Sequence, residues 1–409
     1  MTSNSLFDRC RTNTNIDNDV FVGIRRSDEY YEVSFPLGYH CSEDEKGLRK
    51  DILSLINVLA KNTDKKESEF YVGDSRDDTT QIPVQAYLFI IKDFFERGYY
   101  KERDTYRQIA KRGKIDWGRT IKSQKPYLQD NEAYYLDFVV KKNTINEDEL
   151  ITLVHKFCVF DSFYKFGWLF TSFIPPDPQI GLSKKMMVSV VNNKLQETFN
   201  DRNKQLFNSM LAVINSTEDD SESEFRYGTN RFEYVWEKMI DRVFGVPDKE
   251  KYFPKTTWNL ADGRSNDNAS LEPDSIMIVD GKMYVLDAKY YKFGWSGALS
   301  HLPGSTSINK QITYGEYIAE ENRFVNNGIH PTVYNAFIMP YDSRGKRFPT
   351  GQPIYYIGSA TSDWKGGDKE YENVLGLLMD VKYIMDLDGR LEPTEIQKLA
   401  RLIEENCPV

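Results

Sequence analysis

An apolar hairpin at residues 272–289 restricts the fold of this chain more than any other feature. It reads Glu-Pro-Asp-Ser-Ile-Met-Ile-Val-Asp-Gly-Lys-Met-Tyr-Val-Leu-Asp-Ala-Lys. Asp280-Gly281 is a dipeptide favoured at the centre of a two-residue type I′ turn, and the flanking runs 275–279 and 283–286 are β-type. The turn fixes the register. With Val279 opposite Lys282, counting outward sets Ser275 against Leu286 and Asp274 against Asp287. Opposed residues on one sheet face have Cβ atoms about 4.5–5.5 Å apart, and like charges there destabilise the pair. A positive charge is therefore expected between the aspartates. Mg²⁺ suits such a gap because it takes one or two carboxylates and fills its remaining positions with water and phosphate. Period-two alternation puts Lys289 on the same face as Asp287.

Two acids and a lysine at one spot suit phosphodiester hydrolysis. A metal there lowers the pKa of a bound water and offsets transition-state charge, while the ammonium orients the water or helps deprotonate it. An ordinary hairpin with polar ends is the structural alternative. In the same register Glu272 lies opposite Lys289 and can hold its ammonium.

The chain has 409 residues and 40% hydrophobic content, enough for two domains with ordinary cores. A mean hydropathy of -0.58 and the lack of a long apolar run argue against membrane insertion. The first ten residues contain no apolar signal-peptide core, and Cys10, Cys41, Cys158 and Cys407 show no C-x-x-C spacing. Both observations predict reduced thiols in a cytoplasmic protein. The net charge is -9, so any contact with nucleic acid needs a local basic face or a partner subunit.

A polar acidic run at 215–224 predicts a linker, dividing the chain into an amino-terminal domain (1–214) and a carboxy-terminal domain (225–409). In the first part, helices are expected at 47–60, 85–95, 147–158 and 182–205, a polar connection at 61–80 and a strand at 134–142. This gives a mixed α+β domain. In the second part, a helix at 230–243 precedes the hairpin, followed by a helix at 307–321, strands at 333–339 and 354–358, and a helix at 393–405. The whole reads as mixed α/β, with a central mixed sheet flanked by helices in the second domain.

Residues 112–122 form a basic segment with one tryptophan. Arg112, Lys114, Arg119 and Lys122, with Trp117 among them, can contact DNA phosphates or a protein partner; an exposed loop with a structural tryptophan is the alternative. No G-x-x-x-x-G-K-[ST] is present, so the chain is not itself a P-loop motor, and no G-x-S-x-G elbow suggests an esterase. The four histidines show no metal spacing, and His155, inside an apolar helix, reads as a core residue.

The P-D…D-x-K arrangement of Pro273-Asp274 and Asp287-Ala288-Lys289 on a hairpin resembles the PD-(D/E)XK nuclease superfamily. The phrases Gly113-Lys114-Ile115-Asp116-Trp117, residues 135–144, His155-Lys156-Phe157-Cys158 and Gly167-Trp168-Leu169-Phe170 resemble the LlaJI family of restriction endonucleases, a family related to the McrC nuclease subunit. The resemblance implies a Mg²⁺-dependent endonuclease, with Mn²⁺ as substitute, that cuts foreign double-stranded DNA in a bacterial defence system. It further implies a McrB-like AAA+ GTPase partner within a homo- or hetero-oligomer. Asp274, Asp287 and the Ala288 carbonyl would hold the metal, Glu233 would be an outer acidic ligand, and Lys289 would activate water. Gln311 and Tyr314 resemble a Q-x-x-x-Y element, one residue short. A non-cutting adaptor on a nuclease scaffold and a RecB-type repair nuclease are the competing readings.

Overall fold

Residues near the amino terminus pair with residues more than 200 positions later, and this pairing sets the organisation of the chain. The computed structural model describes residues 5–13, 20–27, 30–62, 83–129, 132–146, 149–217, 226–267, 271–390 and 392–409. Strands β1 (Cys10–Thr12), β2 (Val22–Ser27), β3 (Tyr30–Phe35) and β4 (Arg226–Thr229) form one sheet in the order β1-β3-β2-β4. Ile24 pairs with Val33 on one side and Tyr227 on the other. Helix α1 (Glu45–Lys61) buries Leu48, Ile52, Leu55, Ile56 and Leu59.

The chain accordingly divides into residues 1–79 with 223–409, and residues 80–222. This differs from the single cut expected at 215–224. The second boundary falls inside the acidic run, but the first 79 residues go with the carboxy-terminal part. Pairing of residue 24 with residue 227 leaves no local signature, whereas an acidic run does. Most of that run, and most of the polar connection at 61–80, lie outside the described residues.

The larger unit is built on a five-stranded mixed sheet of β5 (Ser275–Val279), β6 (Lys282–Ala288), β7 (Val333–Tyr341), β8 (Ile354–Ala360) and β9 (Val374–Asp380), in the order β5-β6-β7-β9-β8. β6, β7 and β9 run parallel; the edge strands β5 and β8 are antiparallel to their neighbours. All nine residues of β7 are buried, as expected of a central parallel strand covered on both faces. β9 supplies a strand that the sequence reading did not place.

Helix α2 (Phe232–Phe244) buries Phe232, Val235, Trp236, Met239, Ile240, Val243 and Phe244, and the Trp236 indole N–H donates to the Ile338 carbonyl of β7 at 3.2 Å. Each such side chain contributes about 1.5–3 kcal/mol through burial, which fixes the helix on the sheet. Helix α3 (Ser305–Glu320) packs Ile312, Tyr314 and Ile318 into a core with Ile276, Val285 and Phe337. It approaches the sheet closely at Gly315, where a Cβ would stand 2.5 Å from the Asn335 amide nitrogen. Helix α4 (Pro393–Asn406) closes the chain, as expected.

The smaller unit contains helices at Val84–Arg97, Leu150–Phe166, Lys184–Glu197 and Asp201–Ser216. The single helix expected over 182–205 is therefore two. Ser183 caps the first through the Met186 N–H and Asn200 caps the second through the Asn203 N–H, so a new helix starts where apolar periodicity alone runs on. The strand expected over 134–142 is likewise split into Glu132–Tyr134 and Phe138–Asn146. His155 is fully buried, its Nδ1 accepts the Tyr100 N–H at 2.9 Å, and burial lowers its pKa to about 4. It is a neutral core residue. The four cysteines are free. No described helix is long and apolar enough to cross a membrane.

Candidate active site at the β5–β6 hairpin

The hairpin adopts the register its turn dictates. Val279 pairs with Lys282, Ile278 with Met283, Met277 with Tyr284, Ile276 with Val285 and Ser275 with Leu286. Asp280 and Gly281 have φ of 50° and 80°, both positive as a type I′ turn requires. One step beyond the ladder stand Asp274 and Asp287. The Asp274 Oδ2 accepts the Ala288 N–H at 2.8 Å, which ties the start of one strand to the end of the other.

Lys289 closes the group, its Nζ lying 2.6 Å from the Asp287 Oδ2. Its ammonium goes to Asp287 and not to Glu272, the cross-strand neighbour expected to hold it. Burial works against the charged ammonium, but Asp287 and then Asp274 outweigh it, and the Lys289 pKa is raised. Asp274 is pushed up to about 8 by burial first, then by Asp287 and Glu237, with Lys289 only partly offsetting them. Full ionisation of these carboxylates would leave more negative charge than one lysine neutralises.

Glu237 adds to that excess. It lies one turn beyond Glu233 on α2, and its pKa is raised by burial, with Lys289 lowering and Asp287 and Glu233 raising it. Glu233 is half-exposed, its carboxylate 3.4 Å from the Arg231 Nε. Asp274, Asp287 and Lys289 are among the electrostatic neighbours of Glu237. Glu237 sits at i+4 from Glu233 and shares its helix face. A further turn on, Asp241 binds Lys249 at 2.7 Å, and Lys249 donates to the Asp274 carbonyl at 2.6 Å.

Gln311 and Tyr314 of α3 act on the backbone of the site. The fully buried Gln311 amide donates to the Val285 carbonyl at 2.7 Å, two residues before Asp287. The Tyr314 hydroxyl donates to the Glu272 carbonyl at 3.2 Å, two residues before Asp274. Each leg of the hairpin is thus held by one of them. Lys310 is also near: its pKa is raised by a hydrogen bond with Tyr314 and, against its own desolvation, by Tyr314 and Asp287, while Lys289 opposes.

The donor set fits a small hard cation. Two carboxylates and the Ala288 carbonyl are oxygen donors, and the excess negative charge is what a divalent ion would offset. Among the described residues no group of three or more His, Cys, Asp or Glu side chains is placed to hold a metal. An ion here would complete its shell with oxygens from outside the chain, as Mg²⁺ commonly does.

The basic segment lies in the smaller unit. Asp116 caps a short helix, Trp117–Ser123, through the Arg119 N–H. Arg112, Lys114, Arg119 and Lys122 are exposed, and Trp117 is 53% exposed with its ring edge-on to Phe138. Tyr127, Leu128 and Leu136 are also exposed in this region.

The sequence model of the LlaJI restriction endonuclease family matches residues 21–352. A protein of Bacillus subtilis (strain 168) described as Type II restriction enzyme BsuMI component YdjA is 28% identical over 344 residues, covering 77% of this chain and 71% of that protein. Among solved structures, a refined half-complex from a tetradecameric assembly of Thermococcus gammatolerans McrB AAA+ hexamers with bound McrC matches at 16% identity. That match covers 93% of this chain and 82% of the other, with a TM-score of 0.36.

Proposed function

The chain belongs to the LlaJI restriction endonuclease family, and from that premise we propose that it is the DNA-cutting subunit of a restriction system, hydrolysing phosphodiester bonds in double-stranded DNA at the β5–β6 hairpin. The observation that carries this reading is the pair Asp274 and Asp287, joined across the hairpin through Ala288 and, when both are ionised, carrying more negative charge than Lys289 offsets.

Asp274, Asp287 and the Ala288 carbonyl would hold Mg²⁺, with Mn²⁺ as a substitute. When bound, such an ion supplies Lewis-acid polarisation of the phosphate and a more acidic attacking water. The chain's own contribution is positioning and charge. Lys289, paired with Asp287, would orient the attacking water and offset phosphate charge. Gln311 and Tyr314 hold the two strands so that the carboxylates keep their separation. Glu237 supports the site from α2.

A subunit role has support in the Bacillus subtilis relative, which is described as a component of a restriction enzyme. We place the exposed basic segment, Arg112 to Lys122, at the contact with DNA or with a McrB-like AAA+ GTPase. The deciding experiment is plasmid cleavage in Mg²⁺ by the wild-type chain and Asp287→Asn, each alone and with the neighbouring restriction subunits. Wild-type cutting that the variant lacks supports the reading; equal cutting by both removes it.

A further inference from the structure

A basic loop stands where the parallel strands β6 and β7 end. After β7 the chain reads Asp342-Ser343-Arg344-Gly345-Lys346-Arg347-Phe348, with three cations within four residues in a protein of net charge -9. Contacts fix its place relative to Lys289. Ala288 pairs with Ile338 in the β6–β7 ladder, and the next N–H, that of Lys289, donates to the Ile338 carbonyl at 2.9 Å, setting Lys289 beside Met339. Asp287 pairs with Phe337, so Asp287 and Lys289 share a sheet face with Phe337, Met339 and Tyr341. On that face Met339 and Tyr341 pack with Phe293, four residues after Lys289, and with Phe348 of the basic loop. The Phe293 and Phe348 rings are 5.8 Å apart.

Further bonds dock and shape the loop. Arg347 donates from Nε and a terminal nitrogen to the Ser296 carbonyl at 3.1 and 2.8 Å. Gly297 makes room for it, since a Cβ there would stand 2.7 Å from the Arg347 Nε. The Asp380 carboxylate accepts the Ser343 N–H, the Asp342 carboxylate accepts the Arg344 N–H, and the Gly351 N–H donates to the Ser343 carbonyl, each at 2.9 Å. Asp342, the only acid between β7 and β8, also lies 3.1 Å from the His40 Nδ1.

Arg344 and Lys346 are exposed, and neither side chain has an ion pair or hydrogen bond among the described residues. Lys282, Lys365, Lys369 and Lys382 of the same unit are each paired with a carboxylate. Phe348, the loop's one aromatic, packs into the fold, so the loop offers charge and little apolar area. That favours a phosphate backbone over a protein surface, and ligands of open α/β sheets bind beyond the carboxyl ends of the strands.

We propose that Arg344 and Lys346 bind two phosphates of the DNA backbone beside the hairpin site, on a loop that Arg347 and Phe348 dock against the segment following Lys289. This inference rests on DNA being the substrate of that site, as proposed above.

The test is fluorescence anisotropy of the full-length protein with a fluorescein-labelled duplex in Ca²⁺, over a range of salt concentrations, alongside plasmid cleavage in Mg²⁺. Arg344→Ala with Lys346→Ala should lower the slope of log affinity against log salt by about two, alike for duplexes of different sequence. Arg344→Lys with Lys346→Arg should keep the wild-type slope. Lys398→Ala with Arg401→Ala removes the same charge from exposed positions on α4, which meets the opposite sheet face where the Tyr284 hydroxyl donates to Glu404, and should leave the slope unchanged. A double-alanine loop variant with the wild-type slope overturns the inference, as does an equal fall in the α4 control or a wild type that binds no duplex. Lost co-purification with a neighbouring restriction subunit at unchanged slope also overturns it and marks a protein contact. If wild type binds the duplex but does not cut, the nuclease reading fails while the slope comparison still judges the loop.

Discussion

The Asp274 carboxylate accepts the backbone N–H of Ala288, one residue past Asp287, at 2.8 Å. This bond carries the ladder one step beyond Ser275 and Leu286 and sets two acids at one end of the hairpin with Lys289 against the second. It is also the reason the acids cannot drift apart to relieve their repulsion. The arrangement is held by backbone, so removing one carboxylate should alter chemistry while leaving the hairpin in place.

Asp287→Asn should lower DNA cleavage by more than about 10²-fold, since several kcal/mol of transition-state stabilisation depend on a metal held there. In EDTA the same variant should show its stability falling at a lower pH than wild type, because it removes one of the charges that raise the Asp274 pKa. Plasmid nicking and thermal melts read the two effects. A variant that unfolds would show Asp287 to be structural.

The raised pKa of Asp274 makes a pH prediction. Its folded value of about 8 lies above an ordinary carboxylate value, so the native state binds the extra proton, and the stability this contributes is fully present below about pH 4. That contribution is lost as pH rises through 8. Metal-free protein should therefore lose on the order of a few kcal/mol between pH 5 and pH 8 through this group, with Asp274→Asn flattening the slope. Mg²⁺ should restore more stability at pH 8 than at pH 6, since deprotonated carboxylates bind it. Melting temperature against pH, with and without Mg²⁺, checks the sign.

Glu237→Gln should reduce Mg²⁺ affinity or cleavage more than Glu233→Gln does. Glu237 shares an electrostatic neighbourhood with Asp274, Asp287 and Lys289, while Glu233 sits against Arg231. Calorimetric Mg²⁺ titration of both variants ranks them. A larger effect at Glu233 would reverse the assignment.

The hairpin was legible in the sequence because its determinants are local: a two-residue turn allows one register, and register alone decides that Asp274 meets Asp287. Gln311 and Tyr314 were identified by resemblance, but their action through the Val285 and Glu272 carbonyls was not legible, since a sequence does not show which carbonyl a helix residue reaches. Glu233 and Glu237 share one helix face, and spacing alone does not rank them. The association of residues 1–79 with 223–409 escaped for the opposite reason: β2 pairs with β4 although residues 80–222 lie between them in the sequence.

Gln311→Ala tests the bracing role. The side chain is buried and its amide donates to a strand carbonyl, so truncation leaves that acceptor unpaired and opens a small void, destabilising by about 1–3 kcal/mol. Tyr314→Phe removes one hydroxyl bond near the surface of the core and should destabilise by about 0.5–1.5 kcal/mol. Denaturant titration measures both, and cleavage assayed well below the melting temperature should fall in each as the strands lose their fixed spacing. Full activity in both would leave them as packing residues.

The basic segment gives the last expectation. Arg112, Lys114, Arg119 and Lys122 are exposed, so replacing all four by alanine should alter stability by no more than about 0.5 kcal/mol per site. If they touch DNA phosphates, the slope of log affinity against log salt should fall by about three to four, one for each phosphate no longer neutralised, with a roughly uniform loss across sequences. If they meet a partner subunit, duplex affinity and salt slope stay at wild-type values while co-purification with that subunit falls. Trp117 separates the cases further. Stacked edge-on against Phe138, it is already partly engaged within the protein, so Trp117→Ala should weaken the protein contact through reduced apolar area and leave the salt slope on DNA unchanged. A quadruple variant that binds both DNA and partner as well as wild type would show the segment to be a solvated surface.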